Sequence, residues 1–144
     1  MRVVVQRCQN ASCQVDGKIT GSIEKGLLLF VGFTEGDTKE KIEELVKKIV
    51  ALRIFPDKNG VGNLSVLDVS GSVLSISQFT LYADTKKGNR PSYLNALESS
   101  RAMVLYDYFN QCLNKYVKTE TGIFGAHMEI VLTNMGPTTI LLER

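Results

Sequence analysis

The sequence predicts a single α/β domain over residues 1–144, rich in strands and carrying two helices. Apolar and β-branched runs recur at strand length, in residues 2–9 (RVVVQRCQ), 27–33 (LLLFVGF) and 127–133 (HMEIVLT). Only two stretches, 42–52 and 102–116, instead space their apolar residues three and four apart, as a helix with one buried face requires. No repeat, linker or low-complexity segment divides the chain, so one core is expected.

Taken in order, Val3, Val4 and Val5 are contiguous, as in a strand buried on both faces, and the strand opens at residue 2 with no room for a targeting segment. Arg7 at its end reads either as a surface charge or as a guanidinium fork that holds something. Residues 11–24 alternate around Asp16-Gly17, a strong signal for a hairpin turn with φ > 0 at both central positions. Asp37 followed by Glu40 has the spacing of a helix-capping pair. The helix then runs to about Arg53 on Ile42, Leu45, Val46, Ile49 and Leu52, and Pro56 stops it. A short irregular or strand-like piece covers 63–69. The second helix spans about 98–117 on Ala102, Leu105, Tyr106, Phe109, Cys112, Leu113 and Tyr116. Residues 134–137 form a tight connection into a last strand at 138–142.

Composition excludes several classes of function. A net charge of +2 and 44% hydrophobic residues describe an ordinary globular chain, with no 18-residue apolar run for a membrane. Three cysteines without CxxC spacing read as reduced thiols, and a cytoplasmic location is expected. No cluster has metal-ligand spacing, no Gly-rich phosphate loop is present, and the single His127 falls in an expected strand, so neither metal nor cofactor is expected. An enzyme built from this chain has to work with polar groups and backbone amides.

The most informative stretch is 73–84 (VLSISQFTLYAD), which begins as a core strand and turns polar at Ser77, Gln78 and Thr80. As a continuous strand it would put Gln78 and Thr80 on one face and Ser77 and Phe79 on the other. Buried polar groups without partners cost about 1–3 kcal/mol each, so the run either emerges into solvent or has a use. The loop after it, 85–91, carries Lys86, Lys87 and Arg90, which are either solvated or in contact with phosphate.

Ser77-Gln78-Phe79-Thr80-Leu81 and Asn134-Met135-Gly136-Pro137-Thr138-Thr139, read together, resemble the SQxTL and NxGPxT motifs of the D-aminoacyl-tRNA deacylases. VVQR at 4–7, LRIF at 52–55, NLSV at 63–66, LYADTKKGNRPS at 81–92 and TGIFGAHM at 121–128 are similar to that family's segments in the same order. The resemblance implies an α/β/β fold of two packed sheets with the two helices on one side. It also implies a homodimer that acts on D-aminoacyl-tRNA, without cofactor, DNA or membrane, and in some members on glycyl-tRNA.

On the same basis Ser77, Gln78, Phe79 and Thr80 would be the catalytic segment. The N–H groups of Phe79 and Thr80 would face the ester oxyanion, and the tRNA's own 2′-hydroxyl would assist. Gly136 and Pro137, expected as a cis pair reaching from the other subunit, would exclude L-side chains. Arg7 and Met128 would support the site, and Lys86, Lys87 and Arg90 would contact tRNA phosphates. Thr138 stands where many members have valine, and Met135 is bulky for its position; both bear on glycine tolerance. A nucleophilic Thr80 Oγ is the alternative mechanism, and a non-catalytic RNA-binding dimer is the alternative function.

Overall fold

A computed structural model describes residues 1–144. It has the α/β class, with two sheets and two helices. Strands β1 (Arg2–Val15) and β2 (Lys18–Gly32) form a long hairpin about Asp16-Gly17, both with positive φ, as the turn chemistry requires. The strand expected at 2–9, the hairpin expected at 11–24 and the strand expected at 27–33 thus merge into two continuous strands. A left-handed Asn10 and the close-packed Gly26 shift the side-chain alternation without breaking the pairing. A Cβ on Gly26 would lie 1.8 Å from the Ser72 carbonyl oxygen, so only glycine fits where β2 meets β5 (Ser72–Ser77).

The main sheet also contains β6 (Thr119–Thr121) and β7 (Glu129–Glu143), in the order β6-β5-β2-β1-β7. A separate ribbon pairs β3 (Phe55–Pro56) with β4 (Gly62–Leu64). β5 runs parallel to β2, while β1 is antiparallel to both β2 and β7.

Helices α1 (Lys39–Ala51) and α2 (Ser99–Asn114) share one core cluster with Val3, Val5, Leu27, Leu29, Val31 and Val73 of the sheet. They therefore cover the same face. The opposite face carries Leu28, Leu74 and Ile76, packed with Cys8, Ala11, Cys13 and Ile23 of the distal hairpin. Gly21 lies against Leu74 and Thr121, so the hairpin end folds back over β5 and β6 and supplies the second β layer itself. Truncating one of these fully buried leucines to alanine is worth about 2–5 kcal/mol.

Several local expectations change. The N-cap of α1 is Thr38, whose hydroxyl accepts from the Lys41 N–H, rather than Asp37. Asp37 instead accepts from the Thr34 N–H and pairs with the terminal amine of Met1. α1 ends at Ala51 and α2 at Asn114, short of the expected Arg53 and Val117. Tyr116, expected on the buried stripe, is exposed because the helix has ended before it. His127 precedes β7 and lies outside it.

Candidate active site

β5 is buried from Val73 to Ile76 and pairs with β2 as far as Ser77 opposite Val31. The expected continuation to residue 84 as a strand is wrong. After Gln78 donates its N–H to the Val31 carbonyl (2.7 Å), the chain winds into a 3₁₀ turn, Phe79–Tyr82. The two-residue alternation therefore stops at Ser77, and the polar residues that looked misplaced in a strand belong to a turn at the sheet's edge.

Tertiary contacts hold that turn. Gly32 of β2 faces it so closely that a Cβ there would lie 2.8 Å from the Gln78 carbonyl oxygen. From β1, Arg2 donates Nη1 to the Leu81 carbonyl (2.8 Å) and stacks over the Tyr82 ring at 4.7 Å. Burial pushes the Tyr82 phenol up to about 12.

The first hydrogen bond within the turn runs from Leu81 N–H to the Gln78 carbonyl (3.3 Å). Phe79 and Thr80 precede it, so their N–H groups have no acceptor within the turn, as at any helical N-terminus. The Thr80 hydroxyl accepts from the Gln78 side-chain amide, a donor that cannot serve as a base. Ser77, Gln78 and Phe79 form one wall of a cavity of about 560 Å³. The other walls are mainly apolar, from Leu97, Ala102, Phe124 and Met128, with His127 exposed at its edge. A cleft with mostly apolar walls and a few convergent polar groups is the usual form of a small-molecule site.

Gly136 and Pro137 do not line this cavity. They sit in the middle of β7, one of the two edge strands of the sheet, where pairing with β1 jumps from Gln6–Thr139 to Cys8–Asn134. The peptide between them is cis. Gly136 has φ of +115°, and a Cβ there would meet an Arg7 nitrogen at 2.5 Å, so the position takes only glycine. Arg7 is not a plain surface charge: Nε donates to the Met135 carbonyl (3.1 Å), and Nη1 donates to the carbonyl of Ile54 beyond α1. Asn134 closes the loop, accepting from Thr138 N–H (3.3 Å) and donating to the Thr139 hydroxyl (3.0 Å).

Lys86, Lys87 and Arg90 are exposed on a loop pinched shut by two backbone hydrogen bonds between Asp84 and Ser92, 2.8 and 2.9 Å. No group of three or more His, Cys, Asp or Glu side chains is arranged to hold a metal ion.

A sequence profile described as D-Tyr-tRNA(Tyr) deacylase matches residues 4–143. The chain belongs to this family. Its members are D-aminoacyl-tRNA deacylases, hydrolases of the ester that joins amino acid to tRNA. The chain is also similar to a solved structure described as "c-Myc DNA Unwinding Element Binding Protein", at 36% identity and a TM-score of 0.94, over 100% of this chain and 99% of that one. A second, from a "Structural Analysis of a probable eukaryotic D-amino acid tRNA deacylase", is 16% identical with a TM-score of 0.84, over 98% of this chain and 97% of that one, and shares the fold.

For this deacylase-family chain, the structure brings Ser77, Gln78, Phe79 and Met128 to one cavity with Thr80 beside it, and leaves Gly136-Pro137 with Arg7 elsewhere. Sequence reasoning missed Arg2, Gly32 and Tyr93, the last on the cavity's rim. Arg2 and Gly32 had no local signal, because each acts on a segment about 50 to 80 residues away along the chain.

Proposed function

We propose that this chain hydrolyses the ester of D-aminoacyl-tRNA, releasing the free D-amino acid and the tRNA. The observation that carries this reading is the turn at Phe79–Tyr82, which leaves the N–H groups of Phe79 and Thr80 without helical acceptors beside an apolar cavity. Two such donors suit the oxyanion of ester cleavage, where a single one is worth about 3–4 kcal/mol. Ser77 and Gln78 would hold the terminal nucleotide and the amino group.

Thr80 Oγ is a poor nucleophile here, since its hydrogen-bond partner is the Gln78 amide and not a base. The attacking water is instead activated with help from the substrate's own 2′-hydroxyl, which accounts for a site without a triad. Lys86, Lys87 and Arg90 serve the tRNA phosphates.

Chirality is enforced by Gly136 and Pro137 of a second copy. Their place on an edge strand of the sheet, away from the cavity of their own chain, supports this assignment. So does the outward apolar row of Val131, Met135 and Leu141 on the same strand, exposed by 64%, 40% and 55%. Arg7 holds the Gly-Pro segment through the Met135 carbonyl, and Met128 supports the cavity wall.

Release of tyrosine from D- and L-tyrosyl-tRNA tests the reading, with Thr80→Ala and Pro137→Ala alongside. Cleavage of the D-ester only, survival of that activity in Thr80→Ala and new L-activity in Pro137→Ala are expected. Cleavage of neither ester refutes it. A second reading, a nucleic-acid-binding dimer without catalysis, is favoured by the unpaired loop cations and by the 36% identical relative described as binding DNA. It predicts retention of duplex DNA and tRNA alike in a filter-binding assay.

A further inference from the structure

The cavity's rim carries two exposed aromatic rings, Phe79 and Tyr93, with centroids 5.1 Å apart and planes at 69°. Phe79 is 56% exposed and Tyr93 41%, and the adjoining Leu94 is 94% exposed. Large apolar groups left in water at one spot usually await a partner. The backbone around them is tied down on both sides. Ser92 pairs with Asp84, Ala96 N–H donates to the Tyr93 carbonyl (3.0 Å), Leu97 N–H to the Phe33 carbonyl (2.9 Å), and the Thr34 hydroxyl to the Asn95 carbonyl (2.6 Å). Fixed main chain therefore holds the Tyr93 ring at the rim.

Directly beyond the Asp84–Ser92 pair lie Lys86, Lys87 and Arg90, exposed and engaged in none of the four ion pairs of the molecule. Aromatic faces beside unpaired cations are what a single nucleic-acid strand needs: rings on which bases stack, and charge for the phosphates. Every tRNA ends in an unpaired cytidine-cytidine-adenosine strand. With the terminal ester held at Phe79 and Thr80, this rim, next to Phe79 and leading to the loop cations, offers that strand aromatic and cationic partners.

We propose that Tyr93, braced edge-on by Phe79 and flanked by Leu94, is a stacking platform for the nucleobase immediately 5′ of the terminal adenosine. The loop cations then take the phosphates further along. This rests on the ester hydrolysis proposed above and adds a specificity determinant: preference for a polynucleotide ester over a nucleoside ester.

The test compares kcat/KM for D-tyrosyl-tRNA and for D-tyrosyl-adenosine in wild type, Tyr93→Leu and Tyr93→Phe. The ratio of the two constants is expected to fall about 10- to 100-fold in Tyr93→Leu, the range for losing one base–aromatic stack, and to recover in Tyr93→Phe. Equal losses on both substrates, or no loss on the tRNA, overturn the platform. The chain has no tryptophan, so Tyr93→Trp supplies a single fluorophore for a readout that needs no activity. Its emission is expected to be quenched by the trinucleotide CCA and not by adenosine, and quenching by adenosine alone, or by neither, overturns the proposal. If wild type cleaves neither ester while CCA still quenches Tyr93→Trp, the hydrolase reading falls and the platform stands.

Discussion

Gly32→Ala tests whether the position of the Gln78–Tyr82 turn governs catalysis. The new methyl carbon would start 2.8 Å from the Gln78 carbonyl oxygen and 3.2 Å from Leu81 Cβ, where ordinary contacts begin at 3.4 Å. The nearer neighbour is main chain, so relief requires the turn to move by about 0.6 Å, the difference between 3.4 and 2.8 Å. A displacement of about 1 Å at reacting groups is worth roughly 100-fold in rate. We therefore expect kcat on D-tyrosyl-tRNA to fall about tenfold or more, with a stability cost of about 1–3 kcal/mol. The control is Gly71→Ala, whose methyl meets a Val66 side-chain carbon at 3.0 Å at the opposite end of β5. It should lose comparable stability, read by thermal melting, and keep its kcat. Equal loss of kcat in the two variants, or an unimpaired Gly32→Ala, would refute the reasoning.

Other perturbations have equally definite outcomes. Arg2→Met removes the hydrogen bond to the Leu81 carbonyl and the stacking on Tyr82; kcat should drop several-fold, and an unchanged kcat would mean that the turn holds itself. Arg7→Met frees the Met135 and Ile54 carbonyls from a charged donor. Such bonds are worth about 1.5–3 kcal/mol when fully formed, so the melting temperature should fall and cleavage of L-tyrosyl-tRNA should rise; a stable variant with full chiral selectivity contradicts the role given to Arg7. Replacing Lys86, Lys87 and Arg90 together by alanine should reduce the slope of log(kcat/KM) against log[salt] by about 2, from about 0.7 per phosphate contact, and an unchanged slope removes the loop from the tRNA path.

Alkaline pH should destabilise the fold. Burial raises the Cys8 thiol from 9.0 to about 11 and Tyr82 from 10.0 to about 12. Both are acids that the folded chain keeps neutral after the unfolded chain has lost the proton. The contribution of these two groups is therefore intact below pH 9 and declines from there to about pH 12. Two pKa units at the buried Cys8 amount to about 2–3 kcal/mol. Urea midpoints at pH 8 and pH 11 measure the decline, and Cys8→Ala should reduce it; an undiminished decline in that variant excludes Cys8 as a source.

Some of this molecule is settled locally and was readable from the chain alone. Asp16-Gly17 makes its hairpin because few dipeptides accept positive φ at both positions, and Ile42 to Ile49 make a helix because their spacing buries one face. The paired motifs at Ser77–Leu81 and Asn134–Thr139 marked the family for the same reason, since both are contiguous. What the sequence could not decide is where each regular element gives way. The run from Val73 turns polar at Ser77 yet keeps the β-formers Phe79 and Thr80, so its end was not marked; β5 ends at Ser77, where Gly32, Val31 and Arg2, all from other strands, contact the turn that follows. The strand pattern left Arg7 open between a surface charge and a fork that holds something, and only β7 and the segment after α1, which deliver two carbonyls to it, decide between the two. Likewise, Cys8, Ala11 and Ile23 form a second core only because the hairpin folds back over Leu74 and Ile76. Local propensity is a property of neighbouring residues, whereas the ends of β5, the partners of Arg7 and the second β layer depend on backbone brought in from elsewhere in the chain.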